Sequence, residues 1–260
     1  NIPIARKFKK YGVKCIYYFP PIVSVWDRKN AKIIPKVFDR IICPFKNDHE
    51  MYIKNSGNSE FVGHPFLDSV KITKSLGEIK NELNIPEVNI LIGLFPGSRK
   101  QEINSLLCPI LQAAKILKNK LKNVSFILSC VNNDYLNIFY DLLTKIEVQG
   151  VNIVNRTDYN HIASCDVIIG ASGSLSIEAA LLKTKMVVLY KVSRITYFIG
   201  KILIKSRWIS WPNIILEKEI FPELIQNNVK AGKIADEVFK MLGKNNTEMI
   251  TDFQNFKEKL

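Results

Sequence analysis

Histidine is scarce in this chain and cysteine is scattered. Three histidines and five cysteines stand among 260 residues, and the cysteines, at 15, 43, 108, 130 and 165, form no C-x-x-C pair. An odd, dispersed set fits the reduced thiols of a cytoplasmic protein better than a disulfide framework. Without a cysteine–histidine cluster, no structural metal is expected. No signal peptide is visible, and no apolar run approaches the ~20 residues that a membrane span needs. Neither common nucleotide signature is present: there is no G-x-x-x-x-G-K-[ST] and no complete G-x-G-x-x-G, which argues against a P-loop NTPase and a typical dehydrogenase. Acidic residues are outnumbered 24 to 37, for a formal charge of +13. Such a charge favours anionic partners, but the lysines are spread over most of the length and do not choose among them. With no RRM, zinc-finger or helix-turn-helix signature, no nucleic acid is expected as a partner.

Hydrophobic residues make up 47% of the chain, enough for a sizeable core, and the length suits two compact domains or one large one. The pattern is a repeated strand-then-helix rhythm. Val13 to Phe19 reads as a strand stopped by Pro20-Pro21, and Arg40 to Cys43 and Ser59 to Val62 as two more, with helices around 4–11, 30–38 and 46–54. After a connector with an accessory helix over 66–89, the rhythm restarts. Strands are expected at 90–95, 124–130, 151–154, 166–170 and 186–190, with helices between them. This predicts an α/β fold with parallel sheets, in two halves joined near residue 65. The expected boundaries are 1–65, 66–230, and a helical, charged end over 231–260.

Two strand-to-helix loops carry the chemistry. In Phe95-Pro96-Gly97-Ser98-Arg99, a buried-strand pattern meets a tight turn, and an amphipathic helix then opens beside an arginine. Unpaired N–H groups, the helix dipole and the guanidinium together make an anion site. Ser98 and Gln101 have capping-box spacing for the helix start. The plainer alternative is a well-capped loop whose arginine is merely solvated. In Ala171-Ser172-Gly173-Ser174, glycine lets backbone approach a ligand while the serines cap the helix or bond phosphate oxygens. Glu178, one turn on, can accept hydrogen bonds from vicinal hydroxyls, as an acid does for ribose in dinucleotide folds. Its alternative role is a dipole-favoured acid at a helix start. Two such loops in one α/β half point to a nucleotide diphosphate.

The order Gly63-His64-Pro65, Pro96-Gly97-Ser98-Arg99, Ala171-Ser172-Gly173-Ser174 with Glu178, and Pro212-Asn213 resembles the bacterial lipid-A-disaccharide synthase family. The resemblance runs across nearly the whole chain, including Tyr18 through Trp26, Ala163 to Asp166, Met186 to Tyr190, and Glu223 to Gln226. It implies two Rossmann-like domains of the GT-B type, the N-terminal one partial. The implied activity moves a diacylglucosamine from UDP to a diacylglucosamine 1-phosphate acceptor, in a β-1′,6 linkage. UDP-diacylglucosamine and the lipid monosaccharide phosphate are then the substrates, UDP is released, and no metal or other cofactor is required. By the same resemblance Arg99 stabilises the leaving diphosphate. Gly97, Ser98, Ser172, Gly173 and Ser174 line the UDP pocket, Glu178 holds the ribose, and Asn213 faces the cleft near the nucleotide. Tyr190 and His64, in motifs of the same series, join the substrate-binding set. Pro20, Ile22 and Ser24 depart from the family, which usually has Ser, Ser and Trp there. The family's glycine-rich loop and the aspartate thought to act as general base are expected upstream of residue 1. On that expectation the chain is a partial copy, inactive alone. Asp27 lies near the right region but does not match and reads as a solvated loop acid. Other UDP-sugar chemistry on the same fold, an N-acetylglucosamine epimerase or a peptidoglycan glycosyltransferase, is the alternative.

Residues 191–208 form an amphipathic stretch. Ile195, Phe198, Ile199, Ile202 and Leu203 fall on one helical face, Arg194, Lys201 and Lys205 gather beside them, and Trp208 follows. That suits a helix lying in a membrane interface, where each cation contributes ~1 kcal/mol toward an anionic leaflet. A core-packed helix with snorkelling lysines would show the same pattern. The first reading expects peripheral attachment to the inner face of the cytoplasmic membrane. A homodimer is compatible with it and not required.

Overall fold

The computed structural model of the chain describes residues 1–25, 28–154, 158–193, 196–197 and 206–260. The expectations for Asp27, Arg194, Ile195, Phe198, Ile199, Lys201, Ile202 and Lys205 fall outside the described residues.

The chain divides into two compact units. Asn1–Ser69 and Lys257–Leu260 belong to one, and Val70–Ser193 and Trp208–Phe256 to the other. The expected break near residue 65 therefore lies four residues later. The C-terminal end is not a separate piece: most of it is built into the second unit, because its apolar face covers that unit's sheet.

The first unit carries three parallel strands in the order β1 (Ile16–Tyr18), β2 (Arg40–Cys43), β3 (Ser59–Phe61). Helices α1 (Ile2–Lys10), α2 (Asn30–Val37) and α3 (Lys46–Lys54) alternate with them. Its core gathers Ala5, Val23, Ala31, Ile34, Val37, Ile41, Cys43 and Tyr52. β1 is shorter than the run of β-formers suggested, because the Val13 N–H bonds back to Phe8, the Cys15 N–H goes to the Asp39 carboxylate, and Phe19 turns away at φ +57°. The single turn α4 (Phe66–Ser69) closes the unit.

The second unit begins with α5 (Leu76–Glu82), opened by a capping box between Ser75 and Glu78. Six parallel strands follow: β4 (Ile90–Phe95), β5 (Val124–Ser129), β6 (Val151–Val154), β7 (Val167–Ala171), β8 (Lys185–Tyr190) and β9 (Glu223–Ile225). They lie in the order β6-β5-β4-β7-β8-β9. Helices α6 (Lys100–Lys120), α7 (Leu136–Ile146), α8 (Tyr159–Ala163), α9 (Ser174–Leu181), α10 (Trp211–Leu216), α11 (Ala231–Gly243) and α12 (Asn246–Lys259) complete it. Strands buried on both faces require continuous apolar runs, and β5 and β7 are buried along their whole length. Helix α6 buries Ile103, Leu106, Leu107, Ile110, Leu111 and Leu117. At about 1.5–3 kcal/mol each, that burial outweighs the ~3 kcal/mol cost of Pro109 inside the helix. Strand β9 and helix α10 have no counterpart among the sequence expectations.

The topology positions the site. From β4 the chain builds outward through β5 to β6, then returns to the other side of β4 and builds outward again through β7, β8 and β9. The reversal leaves a crevice at the carboxyl ends of β4 and β7, where doubly wound sheets bind ligands. Phe95 and Gly170 are register partners there, so the loops after them, 96–99 and 172–173, leave adjacent strands.

Candidate functional site

The two loops share one hollow of about 290 Å3. Gly97, Ser98, Arg99 and Glu102 line one side, Ser172, Gly173, Ser174 and Glu178 another, and Phe95, Ser129, Val131, Ile162, Ala171 and Leu175 complete the wall. The volume stands at the lower end of the range for small-molecule sites, ~300–1,000 Å3. The sequence pairing of the two loops is thus realised in space.

The first loop differs from its expected form in one respect. Arg99, not Ser98, is the N-cap of α6, and the acid that folds back is Glu102, not Gln101. One Glu102 oxygen accepts the Ser98 N–H (3.1 Å) and the Arg99 N–H (3.2 Å), and the other is 3.4 Å from the Arg99 guanidinium. Gly97 is at φ +101°, and a Cβ there would collide with the Glu102 carboxylate. Glycine is therefore needed both for the turn and for the close packing. The donors left to a ligand are the first N–H groups of α6, which lack intrahelical partners, and the Arg99 guanidinium, whose side chain is 84% exposed.

In the second loop, the Ser172 N–H is committed to Leu189 of β8 (2.8 Å). Gly173 is the N-cap of α9, and its carbonyl accepts from the Ser176 hydroxyl (2.8 Å). A Cβ on Gly173 would meet nothing, so the space beside it is open. The Ser174 hydroxyl bonds Glu178, yet burial, the larger effect, raises the Glu178 pKa. Among the described residues the hollow's wall carries one cation and two carboxylates, so their pull on an anion comes from the two helix N-termini and Arg99 rather than from net charge.

Three residues of the expected set are not in the wall of this hollow. Asn213 is fully buried and does not face the hollow. Its amide donates to the Phe221 carbonyl (2.7 Å) and to Glu223 (2.9 Å), and its carbonyl accepts from the Ile220 and Phe221 N–H groups. Glu223 also accepts from the Ser210 N–H and hydroxyl and from the Ile209 N–H, so the pair fastens the start of α10 to β9. His64 belongs to the first unit and is 5% exposed among Phe19, Phe45 and Phe66. Its Nδ1 accepts the Phe66 N–H (3.2 Å), which puts the ring proton on Nε2, and burial lowers its pKa. Both are buried, the Asn213 amide spent on Ile220, Phe221 and Glu223 and the His64 Nδ1 on the Phe66 N–H. Tyr190, at the end of β8, is half-buried and outside the wall of the hollow; burial first, and the Glu102 charge second, raise its pKa. Trp208, the described member of the membrane-contact set, is half-buried with its indole nitrogen shielded from solvent. Glu102 is the site residue that sequence reasoning missed; an acid three places after the N-cap was the available signal.

The fold is shared with solved structures. The S. aureus MnaA–UDP co-structure superposes with a TM-score of 0.64 at 11% identity, covering 98% of this chain and 67% of that one. The trehalose-6-phosphate synthase OtsA gives 0.55 at 11%, covering 99% and 66%. These likenesses, with two parallel α/β units, place the chain in the GT-B type of fold, with three strands among the described residues of the first unit. Sequence relatives are nearer. The lipid-A-disaccharide synthase of Syntrophus aciditrophicus is 36% identical over 94% of this chain and 63% of its own length. Those of Coxiella burnetii and Geobacter sulfurreducens are 32% and 33% identical, over 95% and 93% of this chain and 64% and 63% of theirs. The chain thus spans just under two thirds of the length of these relatives. The family described as Lipid-A-disaccharide synthetase matches residues 1–259. That match takes in both units and both loops of the hollow, and the chain belongs to the lipid-A-disaccharide synthetase family.

Proposed function

We propose that the second unit binds the UDP moiety of a UDP-diacylglucosamine, and that the chain serves transfer of the sugar to a diacylglucosamine 1-phosphate. The observation carrying this reading is the shared hollow at the sheet's switch point, with Arg99 and two helix N-termini around it, in a chain of this family. In the reaction an acceptor hydroxyl attacks the donor's anomeric carbon, the bond from that carbon to the diphosphate oxygen breaks, and UDP leaves with the electron pair. Charge grows on the diphosphate as the bond breaks. Arg99 and the N–H groups at the starts of α6 and α9 meet that charge, so the reading calls for no metal. Glu178 accepts hydrogen bonds from the ribose hydroxyls. The acceptor hydroxyl must also lose a proton, and the reading assigns that role to no residue of this chain. Peripheral attachment to an anionic membrane surface is part of the proposal, since both sugars carry acyl chains. Among the described residues no helix is long and apolar enough to cross a membrane.

Thermal protection tests the reading. At about 100 times Kd, a ligand stabilises by ~2.7 kcal/mol, a rise of about 5–10 °C for a unit of this size. UDP should raise Tm by that order, and Arg99→Ala and Glu178→Ala should each abolish most of the rise. A melting curve that UDP leaves unmoved refutes the site. With the diacylated substrates, free epimerised sugar in place of disaccharide refutes the transferase assignment.

A further inference from the structure

Glu102 has no part in the reading above, yet its side chain is packed into the first loop. Its carboxylate sits inside the turn, takes the N–H groups of Ser98 and Arg99 at 3.1 and 3.2 Å, and reaches the Arg99 guanidinium at 3.4 Å. Gly97 wraps so tightly against it that no Cβ fits. Its side chain is 26% exposed where that of Arg99 is 84% exposed. An exposed carboxylate–guanidinium pair is by itself weak. Two backbone N–H groups held by one ionised oxygen are not, since charge-assisted bonds are the strong ones. The carboxylate thus fixes the backbone from which the arginine projects.

We propose that Glu102 is the positioning residue for Arg99: an internal anion that occupies the loop's own donors and so holds the guanidinium toward the hollow, where a diphosphate takes its outer N–H groups. This rests on the nucleotide reading of the hollow and adds a division of labour. The N–H groups of Ser98 and Arg99 serve the protein's carboxylate, and the guanidinium serves the ligand's phosphates. The opposite possibility is that Glu102 is a competitor which an incoming phosphate must displace.

The two are separable. Glu102→Asp keeps the charge but falls one methylene short of the N–H groups. The probes are inorganic pyrophosphate and UDP, titrated calorimetrically into the full chain. Positioning predicts that Glu102→Asp weakens both about tenfold, as the loss of about one hydrogen bond between Arg99 and a charged phosphate does. Glu102→Gln, with full reach, should recover most of that loss. In an Arg99→Ala background Glu102→Asp should have no further effect on binding, while its effect on Tm persists, because the loop still loses its bonds. Tighter binding by Glu102→Asp establishes the competitor and overturns the proposal. Unchanged binding, or the same weakening with and without Arg99, also overturns it and leaves the nucleotide reading standing. If the unsubstituted chain binds neither probe, both fall.

Discussion

A carboxylate that accepts hydrogen bonds from a sugar must be ionised, and Glu178 ionises less readily than an exposed glutamate because burial penalises its charge. As pH falls through that raised pKa the group protonates and stops accepting. Its contribution to UDP affinity is therefore present above the pKa and lost below it, starting at higher pH than the ~4.3 of an ordinary glutamate. Calorimetric Kd values across this range should show that loss. Glu178→Gln should leave only the titration of the nucleotide's own phosphate, and superimposable profiles would remove Glu178 from the site. For folding the sign is reversed: a raised acid pKa contributes stability that is full below the unfolded-state pKa and lost as pH rises through the folded one. Asn213 teaches the complementary point about legibility. A polar residue in a shared motif reads as a ligand contact, but a buried asparagine bonded to backbone at both ends of its amide serves structure just as well. Sequence shows the residue type and not where its hydrogen bonds go.

Several secondary-structure elements end in an unusual way. With only 12 glycines in the chain, helix ends that favour glycine carry other residues: Glu147 after α7 and Glu217 after α10 are left-handed caps at φ +58° and +53°. A side chain in that region costs roughly 1–2 kcal/mol, partly offset by the greater unfolded-state freedom of glycine. Glu217→Gly should therefore stabilise by about 0.5 kcal/mol, raising Tm by ~1–2 °C in scanning calorimetry. A fall would mean that the Glu217 side chain is engaged. Glu147 is a less clean test, because it also pairs with Lys115 at 3.3 Å. Elements were legible where burial is two-sided and long. β4 matches its sequence boundaries to the residue for that reason, and the short, half-buried β6 does so because its run of β-branched residues starts directly after Gly150. β9 was not legible: three residues, Glu-Leu-Ile, show no period, and its glutamate points to the α10 cap rather than out to water. Helix α10 was hidden by Pro212, which reads as a breaker yet is favoured in a first turn.

At the scale of the whole molecule, order in sequence and order in space diverge, and the site depends on that divergence. The two anion loops are more than seventy residues apart along the chain and adjacent in the sheet, because the strand order reverses between β4 and β7. The rhythm of strands and helices predicted a parallel sheet, whereas the reversal is a tertiary choice set by which helix faces cover which side. The +13 charge likewise belongs to the molecule and not to the hollow. It raises the local concentration of anions and so predicts UDP association that slows with salt. Cooperative stability should concentrate where burial is deepest. In the second unit β4, β5, β7 and β8 are buried almost throughout, whereas β1 and β3 of the first unit, three residues each, show no fully buried position. Hydrogen exchange read by mass spectrometry should be slowest over 90–95, 124–129 and 167–171 and faster by orders of magnitude over 16–18 and 59–61. UDP should add protection first at 100–102 and 174–175, the helix starts whose N–H groups lie ahead of the first intrahelical bonds, those of Ile103 to Arg99 and of Ser176 to Gly173. If UDP protects only one of these two segments, the diphosphate is held by one helix mouth, and the shared hollow is not the nucleotide site.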